Sequence, residues 1–330
     1  MGVFALGSVA VRPAVGNAVD RYGRKRIIYG GLIIMILATT GYFLLSEINW
    51  AILAVRLFHG AGFGCYITGI FTIVADDAPT ARRAKVIGVF GLSGMSTFGV
   101  VPLAAELIID RLGFQALFAA ALATLVASLV IALFLRARDP VEMEFPPIGF
   151  IKLLRQIDLL IPLGALFIFC TGVGALVNFI AVYLSSMDIS LAYFFLANFA
   201  AGAVVRLGFG HLADVHGRRR VAVPAFLGGS VALFLLGALH HPLGLILCGL
   251  IWGTGIGFAI PAVSASIVDR VKPQDRGKGM ALFTASFDLG VMAGSFAYGA
   301  IAERLGYSGM YFIAAAVVLV AAAIARRFRN

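Results

Sequence analysis

Residues 11–26, VRPAVGNAVDRYGRKR, are repeated in altered form at residues 205–220, VRLGFGHLADVHGRRR. The two stretches share seven identities in sixteen positions without a gap, at an offset of 194. The identical pairs include Arg12/Arg206, Gly16/Gly210, Asp20/Asp214, Gly23/Gly217 and Arg24/Arg218. A charged motif that occurs twice predicts a chain built from two related halves.

A second window of similarity lies further along the chain, at an offset of 193. It pairs Asp76 with Asp269, and the segment at residues 111–113 (RLG) with the one at residues 304–306. It also pairs three glycines in each half, for which we expect a role in helix packing: Gly60, Gly62 and Gly64 with Gly253, Gly255 and Gly257. Two distant windows that hold nearly one register indicate duplication of the whole unit.

The residues around these motifs are strongly apolar. Of the 330 residues, 61% are hydrophobic and only 13% are charged, about half the charged share of a soluble domain. Apolar runs of roughly 20 residues can each cross a bilayer as a helix. The runs predict an all-α polytopic membrane protein with eleven helices, at residues 1–19, 27–45, 49–75, 86–109, 114–135, 158–184, 190–212, 221–239, 243–268, 279–301 and 307–325.

The net charge of +10 has a topological explanation. Of the 26 Lys and Arg residues, 21 lie in alternate short loops and in the C-terminal tail, which is the positive-inside pattern. This distribution predicts a multi-pass membrane protein with its C-terminus in the cytoplasm, and makes nucleic acid an unnecessary partner.

The stretch from Gly16 to Lys25 reads G-x-x-x-D-R-x-G-R-K. It resembles the loop motif between the second and third helices of the major facilitator superfamily. The copy from Gly210 to Arg219 matches that family's loop between helices eight and nine, and RLFHGAG at residues 56–62 resembles its fourth-helix motif. The resemblance implies a two-bundle fold of six plus six helices, alternating access, a monomer, and a small-molecule substrate together with protons.

The repeat register places the counterpart of the helix at 158–184 before residue 1. We therefore expect that the first helix of the family is missing, which leaves eleven spans; a true eleven-helix protein is the alternative. The predicted domains are an N-terminal bundle at residues 1–135 (helices 2–6), a cytoplasmic linker at 136–157, and a C-terminal bundle at 158–330 (helices 7–12).

The resemblance also implies a gate at the inner surface. In it, Arg24 would pair with Asp76, Arg218 with Asp269, and Asp20 would face a helix start near residue 279. Such contacts would hold the halves together and break when the inside opens. Plain positive-inside topology is the alternative, but it leaves the paired glycines and aspartates unexplained. The gating residues are Gly16, Asp20, Arg21, Gly23, Arg24, Lys25 and Asp76 in the first copy, and Gly210, Asp214, Gly217, Arg218, Arg219 and Asp269 in the second.

Ionisable groups inside predicted spans are costly and indicate function. Asp288 lies nine residues beyond residue 279, about 13–14 Å along a helix and hence near the midplane. For Asp288, the alternative to proton coupling is a purely structural hydrogen bond. For Arg12 and Arg206, the alternative is that the side chains snorkel to the inner surface. For Asn178, the alternative is simple packing. The candidates for proton coupling or substrate contact are Asp288, Arg56, Arg12, Arg206 and Asn178.

The direction of transport follows only from the resemblance. The Arg-Pro pair before the loop motif and the fourth-helix motif look most like bacterial efflux branches, including sugar-efflux-like and opine-metallophore exporters, although the glycine-rich antiporter motif at residues 91–102 is only partial. The resemblance therefore implies proton-coupled efflux across the bacterial inner membrane. The alternatives are uptake of a sugar or organic acid by symport, an inactive truncated transporter, and a non-transporting receptor.

No enzyme or cofactor site is predicted. The three cysteines, Cys65, Cys170 and Cys248, lie far apart in apolar runs and lack disulfide or metal-ligand spacing. The five histidines form no metal-ligand or nucleophile constellation with acids.

Overall fold

The computed structural model describes residues 2–43, 45, 50–99, 101–135 and 149–328. Its regular elements are helical throughout this part of the chain: α1 (Gly2–Tyr22), α2 (Arg24–Phe43), α3 (Trp50–Asp77), α4 (Arg83–Gly99), α5 (Val101–Leu133), α6 (Phe150–Leu154), α7 (Ile157–Ser185), α8 (Ala192–Val204), α9 (Leu212–Val215), α10 (Arg218–Ala238), α11 (Pro242–Val268) and α12 (Arg276–Ala325). Short 3₁₀ turns span Thr80–Arg82 and Pro273–Asp275, and a π-helical segment spans Val205–Phe209.

Among the described residues, the eleven predicted segments are mainly helical, and the all-α membrane fold class is confirmed. The segment 86–109 covers α4 and the first part of α5, and 190–212 covers α8, the π-helical segment and the start of α9. Eight helices among the described residues are, taken alone, long and apolar enough to cross a membrane. Two predicted outside loops, around residues 110–113 and 303–306, each fall at a break between two helical segments, within α5 and within α12. At each break a glycine has positive φ: Gly113 (φ 81°) and Gly306 (φ 71°). An L side chain is strained at such angles, so glycine suits these two related breaks.

The chain divides into two compact units. Unit 1 contains residues 1–77, 100–153 and 271–288, and unit 2 contains residues 78–99, 154–270 and 289–330. The predicted sequence halves, 1–135 and 158–330, stay a prediction; the compact units follow another grouping, because residues 78–99 pack in unit 2 and residues 271–288 in unit 1. The predicted linker is described only from residue 149 onward, where α6 is its short helix; residues 136–148, and the predicted outside loop at 46–49, lie outside the described residues.

In unit 1, α3 packs between α1 and α2, and glycines make the close approach possible. A methyl group on Gly60 or Gly64 would meet the backbone of α1, whereas one on Gly62 would meet α2. Residues four apart lie on one helix face and the residue midway between them lies on another, so the alternating glycines serve two neighbours. In the same unit, a buried core is formed by Ile28, Leu32 and Met35 of α2 and Ile73 of α3.

Unit 2 repeats this arrangement with α11 between α8 and α10. A methyl group on Gly253 or Gly257 would meet α8 or the π-helical segment that follows it, and one on Gly255 would meet the backbone of α10. The same three-glycine spacing therefore positions three helices in each unit.

Candidate functional site

The loop motif of unit 1 is anchored by Asp20, at the end of α1 and beyond the predicted span 1–19. Its carboxylate accepts hydrogen bonds from the backbone N–H of Gly277 (2.8 Å) and of Lys278 (3.2 Å), at the start of α12. The Lys278 ammonium lies 3.2 Å from the same carboxylate. A helix N-terminus favours a carboxylate because its first N–H groups lack partners. A methyl group on Gly16 would come within 3.1 Å of the Lys278 backbone, so glycine allows this approach.

Burial raises the pKa of Asp20 to about 6, while Lys278 and the N–H of Gly277 act in the opposite direction. Desolvation disfavours the charged carboxylate. Asp20 is therefore a group whose protonation changes near neutral pH.

The first motif copy also contains a carboxylate shared by two arginines. Arg24 Nε donates to Asp76 Oδ2 at 2.9 Å, and Arg276 Nη1 donates to Asp76 Oδ1 at 3.1 Å. The side chain of Arg24 is 3% exposed and that of Asp76 is 11% exposed. Charge-assisted hydrogen bonds of this kind are stronger than neutral ones, so Asp76 ties the start of α2 to the start of α12.

Unit 2 contains the same network built from the second copy. Asp214 accepts hydrogen bonds from the backbone N–H of Ala84 (3.0 Å) and of Lys85 (3.1 Å), at the start of α4. Arg218 donates through Nη1 to Asp214 and through Nε to Asp269 at 3.3 Å. Arg83 also donates to Asp269. The N–H contacts of Asp214 and the two arginines on Asp269 correspond to those of Asp20 and Asp76 in unit 1, at the offsets of the sequence repeat. The side-chain contact of the loop aspartate differs, since Arg218 contacts Asp214 in unit 2 and Lys278 contacts Asp20 in unit 1.

The remaining motif residues shape the turn or stay at the surface. Gly23 and Gly217 each have φ of 91°, and an L side chain rarely adopts that angle. Arg21 and Arg219 are exposed, and the Lys25 ammonium lies 6.0 Å from the centre of the Tyr29 ring.

A separate polar cluster lies inside unit 1, among α1, α3 and α12. Arg12 is only 1% exposed and forms an ion pair with Asp288. Its Nη1 also donates to Thr68 Oγ1 (3.0 Å) and its Nη2 to Ser8 Oγ (3.1 Å). Ser8 Oγ in turn donates to Asp288 Oδ2 at 2.9 Å. The Arg12 guanidinium is therefore buried and paired inside the unit.

The other candidate residues inside the predicted spans, Arg206, Arg56 and Asn178, have different surroundings. Arg206 is 3% exposed and lies in the π-helical segment. Within the described ranges, its side chain donates one hydrogen bond, from Nη1 to the Gly88 carbonyl at 3.5 Å. Arg56 is exposed, with its guanidinium 5.2 Å from the centre of the Tyr42 ring. Asn178 donates to the Gly174 carbonyl (2.9 Å) and to Ser295 Oγ (2.8 Å), and so links α7 to α12.

Sequence reasoning missed several members of these clusters. Ser8 and Thr68 belong to no motif. Arg83 and Arg276 are related by the repeat at an offset of 193, as are Lys85 and Lys278, but they lie outside the loop motif. The repeat itself was the available signal, because a charged residue kept in both halves indicates a shared contact.

Two other features of the structure are its potential metal ligands and an open groove. Among the described residues, no group of three or more His, Cys, Asp or Glu side chains is arranged to hold a metal ion. An open groove of about 620 Å³ lies in unit 2 beside α10 and α11, lined by mostly apolar residues such as Val221, Pro224, Ile251 and Phe258. Gly255, one of the predicted packing glycines, lines this groove, whereas the predicted gating, proton-coupling and substrate residues are not among its lining residues.

Comparisons with known proteins agree with this architecture. An uncharacterized MFS-type transporter of Methanocaldococcus jannaschii is 24% identical over 97% of this chain and 85% of its own length. Another, of Burkholderia mallei, is 26% identical over 96% of this chain and 79% of its own.

Solved structures show the same fold at lower identity. The human organic anion transporter MFSD10 superposes with a TM-score of 0.85 at 18% identity, covering 98% of this chain and 82% of that one. The E. coli fucose:proton symporter superposes with a TM-score of 0.81 at 15% identity, covering 99% and 89%. The sequence profile of the Major Facilitator Superfamily matches residues 1–214 and 193–330, which together span the whole chain. The chain therefore belongs to the major facilitator superfamily of membrane transporters.

Proposed function

We propose that this protein exports a small organic solute in exchange for protons, by alternating access, and that Asp288 is the group that carries the proton. The observation that carries the proposal is the buried ion pair between Arg12 and Asp288. Charged groups within spans are expensive, and they commonly mark ion and proton pathways.

The chemistry of coupling follows from the partners of the pair. As a carboxylate, Asp288 accepts from Arg12 and Ser8. Proton uptake neutralises the carboxylate and leaves the Arg12 charge buried with only hydroxyl partners. An uncompensated charge in a low-dielectric interior is costly, so protonation favours a different arrangement of α1 and α12. Proton binding and conformation are linked in this way.

The two loop networks form the proposed gate. Asp20 binds the start of α12 in unit 1, and Asp214 binds the start of α4 in unit 2. Both networks are formed in this structure, and both depend on backbone N–H groups that a small helix movement would withdraw. Their breakage would accompany opening toward the cytoplasm.

The rival is proton symport, in which the solute and the proton move in the same direction. The fold is compatible with it, since one of the solved structures with this fold is a fucose:proton symporter. Export is favoured by the Arg-Pro pair at residues 12–13 and the fourth-helix motif at residues 56–62.

Purified protein in liposomes that enclose a pH-sensitive dye separates the two. A panel of sugars, amino acids and small carboxylates is added outside, one at a time. Under exchange, a solute that enters drives protons out and the lumen becomes alkaline; under symport the lumen becomes acidic. Asp288→Asn should abolish the signal and Asp110→Asn, at an exposed carboxylate, should retain it. A solute-driven signal that is equal in Asp288→Asn overturns the coupling role.

A further inference from the structure

The deepest arginines of the two units are related by the repeat but differ in their partners. Arg12 and Arg206 are equivalent at the offset of 194, and both are almost fully buried. Arg12 has a carboxylate partner, Asp288. Arg206 has no acidic residue within ion-pair distance in the part of the chain that the structure describes, and the Nε atoms of Arg12 and Arg206 both lack a hydrogen-bond partner there.

The repeat register identifies the residue of unit 2 that corresponds to each partner of Arg12. At the offsets of the two windows, the counterpart of Ser8 is Gly202, that of Thr68 is Pro261 and that of Asp288 is Met95. None of these three side chains accepts a hydrogen bond from a guanidinium as a hydroxyl or carboxylate does.

The contacts place these counterparts around Arg206. A methyl group on Gly202, one turn before Arg206, would overlap the Met95 side chain. A methyl group on Gly88 would lie 3.3 Å from Pro261 and 3.9 Å from Arg206 Cγ. Met95 therefore packs beside the helix of Arg206 much as Asp288 lies beside the helix of Arg12.

The immediate surroundings of the guanidinium are glycine and backbone. A methyl group on Gly91 would overlap Arg206 Nη1, and the Gly88 carbonyl lies at 3.5 Å, at the outer limit for a hydrogen bond. An unpaired charge buried among apolar groups costs several kcal/mol. π-helical turns such as the one that carries Arg206 occur often at functional sites.

We propose that Arg206 binds the anionic group of the transported solute, which makes the substrate a small organic anion with a carboxylate. A guanidinium matches a carboxylate with two parallel hydrogen bonds. In unit 2 the solute supplies the negative charge that the Asp288 carboxylate supplies in unit 1. Because Gly88 and Gly91 of α4 cover the guanidinium, movement of α4 away from the π-helical segment opens the site. This inference rests on the proposed transport function and names its substrate class.

The test measures binding to the detergent-solubilised full chain without any gradient. The probes are acetate, benzoate and glutarate, each with its neutral amide, and inorganic phosphate. At least one carboxylate should raise the midpoint of thermal unfolding of the wild type while its amide does not. Arg206→Gln should weaken that binding about 10- to 100-fold, and Arg206→Lys should weaken it less, because the charge remains and the planar fork is lost. Arg304→Gln, the same change at an exposed arginine, should bind as the wild type does.

Met95→Glu supplies a second and independent variant. It places a carboxylate beside Arg206, at the position that corresponds to Asp288 in the repeat. Binding of added carboxylates should therefore fall about as much as in Arg206→Gln, although the arginine is intact. Size-exclusion profiles verify that each variant is folded.

The inference is overturned if no carboxylate shifts the wild type, if Arg206→Gln and wild type bind equally, or if Met95→Glu keeps full affinity. Phosphate binding without carboxylate binding also overturns the carboxylate assignment. Failure of the transport proposal is a separate result: Arg206-dependent binding with no solute-driven proton movement refutes the coupling alone. Proton-driven movement of a neutral solute that persists in Arg206→Gln refutes the anion site alone.

Discussion

Arg12 donates a hydrogen bond to Asp288 across 276 positions of sequence, and the ion pair is buried in unit 1. Replacing Asp288 by Asn keeps the shape but leaves the guanidinium uncompensated. We expect a stability loss of about 3–5 kcal/mol, together with loss of proton-linked transport. Thermal unfolding in detergent and the liposome assay measure the two effects.

The double variant Arg12→Met/Asp288→Leu separates stability from coupling. Replacing a buried pair by apolar side chains of similar size restores most of the stability, and coupling should stay absent. Unchanged pH dependence of transport in Asp288→Asn would contradict the assignment.

Gly91 offers a matched pair of substitutions on α4. Gly91→Ala places a methyl group against Arg206 Nη1, whereas a methyl group on Gly94 meets nothing within 4 Å. Both changes gain up to about 1 kcal/mol of helix propensity. We expect Gly94→Ala to bind carboxylates as the wild type does and Gly91→Ala to bind them several-fold differently, because only the latter displaces the guanidinium. Identical affinities in the two variants would show that the position of the guanidinium is unimportant.

Asp20 predicts a pH dependence with a definite sign. Its pKa is raised by burial from 3.8 to about 6, so between these values the folded protein holds a proton that the unfolded chain has lost. The contribution of Asp20 to stability is therefore largest below about pH 4 and is lost as the pH rises through about 6. The unfolding midpoint should fall less steeply over this range in Asp20→Asn than in the wild type. Asp110→Asn is the control, and equal slopes in all three proteins would refute the prediction.

The shared carboxylate of Asp76 predicts a non-additive double mutant. Arg24→Gln or Arg276→Gln alone leaves one cation on Asp76, so each should cost about 1.5–3 kcal/mol, the loss of one hydrogen bond to a charged group. Together they leave a carboxylate that is 11% exposed with no charged partner, and the combined loss should exceed the sum. In unit 2, Arg83→Gln with Arg218→Gln should show a smaller excess, because Asp269 is 32% exposed. If the losses of the unfolding midpoint caused by Arg24→Gln and Arg276→Gln simply add in the double variant, the two arginines do not share Asp76.

Much of the fold could be predicted from the sequence, because apolar runs set helix length and the duplicated loop sets the register. The contacts of Arg24 with Asp76 and of Arg218 with Asp269 were expected from the same loop. The pairing of Arg12 with Asp288 was not expected. Met95, the repeat-related counterpart of Asp288, carries no charge, and a pairing of residues 276 positions apart leaves no local trace in the sequence. The breaks within α5 and α12, by contrast, were expected, because the predicted outside loops around residues 110–113 and 303–306 end at Gly113 and Gly306, where the backbone leaves the helical conformation. The missing first helix stays a prediction.

The two copies of the motif are wound differently. Residues 11–15 are α-helical, whereas Val205–Phe209 form a π-helical turn. Since both belong to one polypeptide, each copy is an internal standard for the other. A peptide-level hydrogen-exchange experiment can compare the two windings in one sample, at one detergent concentration and one buffer composition. The ratio of their exchange rates then isolates the effect of the π turn from every variable that differs between preparations.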